Sequence, residues 1–194
     1  MSSHRLLVIT GTSGVGKSTL SARVASSLDF PKIVSTDTIR ETLRTQFDRE
    51  QSPALHRSSF EPAGSGVIED WHQTVAVLAQ AVRAVVRRAA AKSSDLVLEG
   101  VHIVPGEEML EEWRNSGGLA SGVVLRVDDE KTHQSFIRSR EKHNSEGVSH
   151  YLSNLDRIRE IQDNMVSEAE DSGWLSLDAS VDDDPVGMIE HTFE

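Results

Sequence analysis

Short apolar runs alternate along the chain with longer segments of helical character. The apolar runs have the length and β-branched content of buried strands, at residues 5–10, 33–35, 95–99, 122–127 and 174–178. The longer segments are predicted helices, at residues 18–28, 37–47, 68–91, 107–114, 129–142 and 151–171. This alternation predicts an α/β fold in which a parallel sheet of about five strands has helices on both faces.

Two regions do not follow this alternation. Residues 48–66 contain two prolines and two glycines and are predicted to be irregular. The acidic run Asp182–Asp184 is predicted to be solvated surface rather than a metal site. A chain of 194 residues is expected to form one domain over residues 1–194.

Composition and charge narrow the classes of function. The net charge of −11 argues against a nucleic-acid partner, but it leaves room for a small basic pocket. The chain has no cysteine, which excludes disulfides and thiolate chemistry and favours a cytoplasmic location. No window is long and apolar enough for a membrane span, and residues 1–5 lead into a strand without a signal-peptide cleavage site. The oligomeric state stays open.

A glycine-rich segment between the first strand and the first helix matches the pattern GxxxxGK[ST]. The predicted nucleotide-binding residues are Gly11, Thr12, Ser13, Gly14, Val15, Gly16, Lys17, Ser18 and Thr19. Glycines let successive backbone N–H groups point at phosphate oxygens, and the helix start adds partial positive charge. Lys17 can reach the β- and γ-phosphates, and Ser18 can ligate Mg²⁺. The segment therefore predicts a P-loop protein that uses ATP and Mg²⁺.

The stretch KIVSTDTIRETLR, at residues 32–44, follows the second predicted strand. Asp37 lies where the strand should give way to a helix, which is typical of a helix N-cap. Arg40 and Arg44 lie four apart, on one helix face. The guanine-reading sequence Asn-Lys-x-Asp is absent and the chain is short for a motor. These features favour a kinase that phosphorylates a small acceptor.

Further candidate residues follow the third and fourth strands. Glu99 is predicted to end a strand beside the P-loop strand, where a carboxylate usually holds Mg²⁺ or positions the attacking group. His102 is equally compatible with a turn residue and with a substrate ligand. Arg138 and Arg140 fall in a predicted lid at about residues 129–150. Residues two apart do not share a helix face, and Arg140 is preferred as the catalytic one.

Six segments in order resemble the P-loop domain of 2-phosphoglycerate kinases: GTSGVGKST, STDTIRETLR, LHRSSF, LEGVHIVPG, DDEKTH and YLSNLDRIREIQDNM. The resemblance runs from about Leu6 to Asp178. It implies an NMP-kinase-like fold and ATP-dependent phosphorylation of 2-phosphoglycerate to 2,3-bisphosphoglycerate. Archaeal members carry an additional N-terminal domain, which is expected to be absent here. The family's lid helix also tends to be more basic around the position of Phe136.

The resemblance also implies roles at matched positions. Asp37 would approach the acceptor hydroxyl as a base or orienting group. Arg40, Arg57 and Ser58 would bind the phosphate and carboxylate of the acceptor, and Glu99 and His102 would line the same cleft. Two alternatives remain, namely a P-loop kinase of an uncharged hydroxyl such as a sugar or antibiotic, and a non-catalytic ATP-binding regulatory protein.

Overall fold

The computed structural model describes residues 3–194; Met1 and Ser2, on which the signal-peptide prediction partly rests, lie outside the described residues. The five strands are β1 (Arg5–Thr10), β2 (Ile33–Ser35), β3 (Leu96–Gly100), β4 (Leu119–Arg126) and β5 (Leu175–Asp178). The helices are α1 (Lys17–Ser27), α2 (Thr36–Arg44), α3 (Val67–Ala90), α4 (Glu108–Asn115), α5 (Glu130–Arg140), α6 (Ser145–Ser153), α7 (Leu155–Asp171) and α8 (Pro185–Glu190). Short 3₁₀ turns occupy Pro53–His56 and His191–Phe193.

The strands form one parallel sheet in the order β2-β3-β1-β4-β5. The central strand β1 alternates between two cores, with Leu6 and Val8 on one face and Leu7 and Ile9 on the other. Helices α3, α4 and α7 cover the first face, while α1 and α8 cover the second. The predicted five-stranded parallel sheet with helices on both faces is confirmed.

The helical region before β5 differs from its prediction. One helix over residues 151–171 was expected, but α6 and α7 are separate helices that meet at Asn154. Asn154 has φ −113° and ψ 15°, and its side-chain amide donates to the carbonyl of His150 at 2.9 Å. The side-chain amide of Asn154 occupies the His150 carbonyl, which in a continuous helix would accept from the backbone N–H of Asn154, so the helix is interrupted there.

The acidic run Asp182–Asp184 was predicted to be solvated, but two of its carboxylates accept hydrogen bonds from the backbone. Asp184 caps α8 by accepting from the backbone N–H of Gly187 at 3.0 Å, and Pro185 begins the helix. Asp182 accepts from the backbone N–H of Asp178 at 2.7 Å. Two of the three carboxylates therefore organise backbone, and solvated surface was an incomplete description.

The irregular segment between α2 and α3 is ordered around a buried carboxylate. Asp70 is 1% exposed and accepts from the backbone N–H groups of Ala63 and Ser65 and from the Arg157 guanidinium, at 2.8–3.0 Å. These donors, the Ala63 N–H foremost, lower the pKa of Asp70 to about 2. Arg157 also donates to the carbonyl of Phe60 at 2.6 Å. The segment is thereby fixed as a wall beside the carboxyl ends of β1–β3.

Candidate functional site

A cavity of about 800 Å³ opens at the carboxyl ends of the strands, where open parallel sheets bind ligands. Several elements supply its lining. The lining includes Ser13 to Thr19 of the P-loop, Asp37, Arg40, Ser58, Phe60, Glu99, Arg140 and Tyr151. Among the helices of residues 3–194, none has the length and apolar character needed to cross a membrane.

The P-loop has the backbone that its glycines predict. Gly14 has φ +86°, a region that L side chains rarely adopt, and a Cβ there would collide with the Ile137 side chain of α5. Helix α1 begins at Lys17, so its N-terminus faces the cavity. Of the predicted nucleotide-binding residues, Gly11 and Thr12 do not line the cavity, whereas the other seven do.

Lys17 is half-buried at the end of this loop, where α1 begins. Its Nζ donates to the carbonyl of Thr12 at 2.8 Å. Burial lowers the pKa of Lys17 to about 8, with the charges of Glu99 and Asp37 acting in the opposite direction. A bound phosphate would stabilise the ammonium form in the same way as those two carboxylates.

Ser18 and Glu99, the predicted metal ligands, are brought together. Parallel pairing places Glu99 opposite Ile9 of the P-loop strand, and Ser18 Oγ donates to Glu99 Oε1 at 3.3 Å. The described residues contain no cluster of three or more His, Cys, Asp or Glu that could hold a metal. Mg²⁺ usually takes one or two protein oxygens together with water and substrate phosphates, so the hydroxyl–carboxylate pair fits this ion.

Asp37 was predicted to be the N-cap of α2, and this prediction is wrong. Ser35 caps that helix, because its side chain accepts from the backbone N–H of Asp37 at 3.2 Å. Asp37 is the second residue of α2, and its side chain is 64% exposed and lines the cavity. Its carboxylate oxygens are consequently free from capping the helix backbone.

The three candidates for acceptor binding lie in α2 and the segment after it, and not all of them line the cavity. Arg40 and Ser58 line the cavity, and the Arg40 side chain is 18% exposed. Arg57 does not line it: its guanidinium donates to Gln73 Oε1 at 3.0 Å and to the carbonyl of Asp70. Arg44 pairs with Glu41 at 2.8 Å on the surface. The predicted placement of Arg57 in the cleft is therefore wrong, because the segment's long-range contacts turn it toward α3.

His102 is placed behind Asp37 rather than in the cavity wall. The residue is 2% exposed, and its Nδ1 lies 3.2 Å from Thr36 Oγ1 and 3.8 Å from Asp37 Oδ1. Burial lowers the pKa of His102 to about 4, so the imidazole is neutral at pH 7. The expectation that His102 lines the cleft is corrected, since it reaches the cleft only through the first turn of α2.

The two candidate lid arginines also differ. Arg140 lines the cavity, whereas Arg138 does not. Arg140 donates to the Tyr151 hydroxyl at 3.2 Å, and its guanidinium lies 5.2 Å from the centre of the Tyr151 ring. The contact between α5 and α6 thus holds the Arg140 side chain at the cavity edge.

His133, in the first half of α5, was not predicted to be a site residue. The His133 Nε2–H donates to the carbonyl of Ser13 in the P-loop at 2.8 Å, and His133 is fully buried. Burial lowers the pKa of His133. The pair His133 and Ile137, four apart, could have indicated an inward face of α5. Helix α5 therefore rests directly on the P-loop.

Curated proteins match most of the chain. It is 30% identical over 172 residues to a protein of Pyrococcus furiosus and 32% identical over 176 residues to one of Methanopyrus kandleri, both named 2-phosphoglycerate kinase. These alignments cover 84% and 86% of this chain. They cover 55% and 53% of the relatives, so the chain spans about half the length of the curated relatives it matches.

Solved structures support the fold. A protein of Chloroflexus aurantiacus has a TM-score of 0.57 at 15% identity, covering 98% of this chain and 96% of its own. Shikimate kinase of Aquifex aeolicus has a TM-score of 0.51 at 14% identity, covering 96% and 94%. A family model described as AAA domain matches residues 7–163. Because this model matches most of the chain and spans the P-loop, the protein belongs to the AAA domain family of P-loop proteins.

Proposed function

We propose that this protein is an ATP-dependent kinase that transfers the γ-phosphoryl group to a hydroxyl of a small acidic metabolite, with 2-phosphoglycerate as acceptor and 2,3-bisphosphoglycerate as product. The observation that carries the proposal is the presence of Asp37 and Arg40 in the same cavity as the P-loop. The name shared by the relatives, at up to 32% identity, supports the choice of acceptor.

The nucleotide half of the site would consist of residues 13–19. Their backbone N–H groups and Lys17 would bind the phosphates of ATP. Ser18 and Glu99 would hold Mg²⁺, which supplies charge neutralisation at the phosphate oxygens. Lys17 would bind the γ-phosphate, because its present partner is the neutral carbonyl of Thr12, which a charged phosphate can replace.

The acceptor half would be built on α2 and the segment after it. Asp37 would accept or direct the proton of the acceptor hydroxyl, and Arg40 with Ser58 would bind the acidic groups. Arg40 lines the cavity with 18% of its side chain exposed, so its guanidinium can donate to an anion bound there. In this proposal residues 129–150 form a lid on a single kinase domain, and Arg140 stabilises the transferring group.

An ADP-release screen with Mg²⁺-ATP tests the acceptor. We expect 2-phosphoglycerate to be preferred over 3-phosphoglycerate, glycerate and neutral sugars or alcohols, because Arg40 and Ser58 can bind a second anionic group. Preference for a neutral hydroxyl would instead favour a kinase of uncharged acceptors. ATP binding without release of ADP stimulated by any acceptor would favour the regulatory protein.

The lowered pKa of Lys17 predicts a pH dependence of nucleotide affinity. Free Lys17 loses its proton near pH 8, whereas ATP phosphates favour the protonated form. The Kd for ATP should therefore be steady below pH 7.5 and rise by up to roughly tenfold per pH unit above about pH 9. Calorimetric titration between pH 7 and 10 measures this slope.

A matched variant separates Lys17 from other titrating groups. Lys17→Met removes the ionisable amine and should bind ATP more weakly, with a Kd that no longer rises between pH 8 and 10. A flat profile for the unmodified protein, or an equal slope in Lys17→Met, would contradict the assignment of the slope to Lys17.

A further inference from the structure

His102 is a buried polar side chain at the carboxyl end of β3 that does not face the main cavity. Its Nδ1 lies against Thr36 Oγ1 at 3.2 Å, in a pair whose members are 2% and 0% exposed. The Nε2 has no hydrogen-bond partner among residues 3–194. A buried lone pair is less costly to leave unpaired than a buried N–H, and the Asp37 carboxylate at 3.8 Å attracts a donor. Both considerations place the proton on Nδ1.

The backbone at Gly100 allows β3 and the first turn of α2 to approach closely, which brings His102 and Thr36 into contact. Gly100 ends β3 with φ +151°, and a Cβ there would collide with Thr36 Oγ1. The first turn of α2 therefore packs directly on the end of β3, and Asp37 follows Thr36 in that turn. Glycine at position 100 is required for this close approach. Through it, the loop that carries His102 controls where the first turn of α2 lies.

We propose that His102 is a positioning residue that acts through Asp37: its neutral Nδ1–H, shared with Thr36 Oγ1, orients the Asp37 carboxylate toward the acceptor hydroxyl. The inference rests on the kinase function proposed above. His102 does not touch the cavity, so it affects the reaction only through the residue it orients. The separation of 3.8 Å is longer than a hydrogen bond, and such contacts in free enzymes commonly shorten when substrate binds.

Three substitutions test the orientation. His102→Leu removes the donor, and we expect kcat to fall roughly 10–100-fold while the Kd for ATP is unchanged, because a small misplacement of a reacting group is costly. His102→Asn places an amide N–H near the position of Nδ1 and should restore most of the lost turnover. His102→Gln places its amide nearer the position of Nε2 and should remain slow. Equal activity of the Asn and Gln variants would overturn the proposal.

A double-mutant cycle with Asp37→Asn distinguishes positioning from a general structural role. If His102 acts through Asp37, His102→Leu should cause no further loss of kcat when Asp37 is already Asn. A full additional loss in that background would overturn the inference. Near-normal turnover of Asp37→Asn alone would instead overturn the proposed role of Asp37. Thermal unfolding midpoints verify that each variant is folded.

Discussion

Replacing Asp37 with Asn should lower kcat by roughly 10²–10⁴-fold, the usual contribution of a positioned general base. The amide keeps the size of the side chain but cannot take the proton of the acceptor hydroxyl. Ser35, not Asp37, caps α2, so the substitution should leave the helix and the fold intact. Steady-state turnover with the best acceptor measures the loss, and the Kd for ATP should stay close to that of the unmodified protein.

Asp163→Asn is the matched control for this substitution. Asp163 lies on α7, where it is exposed and outside the cavity lining. It undergoes the same change from acid to amide, so its turnover should match that of the unmodified protein. Asp37→Asn with the activity of the control would remove Asp37 from the mechanism.

Replacing Arg140 with Ala should lower kcat by roughly 10³–10⁵-fold, the range found for arginine fingers in phosphoryl transfer. The guanidinium lies at the cavity edge and can stabilise charge on the transferring oxygens. It is 53% exposed, and its partners are Tyr151 of α6 and Glu141 directly after α5, so its loss should leave the thermal midpoint nearly unchanged. Single-turnover kinetics with pre-bound ATP would place the effect on the transfer step.

Arg138→Ala is the control for this substitution. It lies two residues away on the same helix and outside the cavity lining, so its removal changes the net charge equally without changing the site. We expect turnover close to that of the unmodified protein. An equal loss in both variants would mean that the basic character of α5, rather than one positioned arginine, supports the reaction.

Local patterns were sufficient for the sheet and the phosphate loop. The β1 run RLLVIT is confirmed at residues 5–10, because a strand buried on both faces is apolar at nearly every position. Glu99 was predicted beside the P-loop because P-loop enzymes usually have a carboxylate at the end of the neighbouring strand, and adjacent parallel strands end at the same edge. The first inference needed only the local pattern, and the second also needed the P-loop motif.

Side-chain direction in irregular segments was not accessible from the sequence in the same way. Arg57 faces α3 because its segment folds around the carboxylate of Asp70. That carboxylate also accepts from Arg157, which lies 87 residues later in the chain. The cap of α2 was misplaced by two residues because Ser35 and Asp37 have similar intrinsic capping preferences. The choice between them depends on where β2 ends, and strand ends are weakly encoded locally.

The seating of α5 on the P-loop has a consequence for chimeric proteins. His133 donates to the carbonyl of Ser13, and Ile137 occupies the space that any side chain at position 14 would need. Residues 129–150 are therefore not a portable module that can be exchanged alone between relatives. A transplanted segment would have to match the P-loop at both of these contacts, so substitutions at positions 14 and 137 should be inherited together.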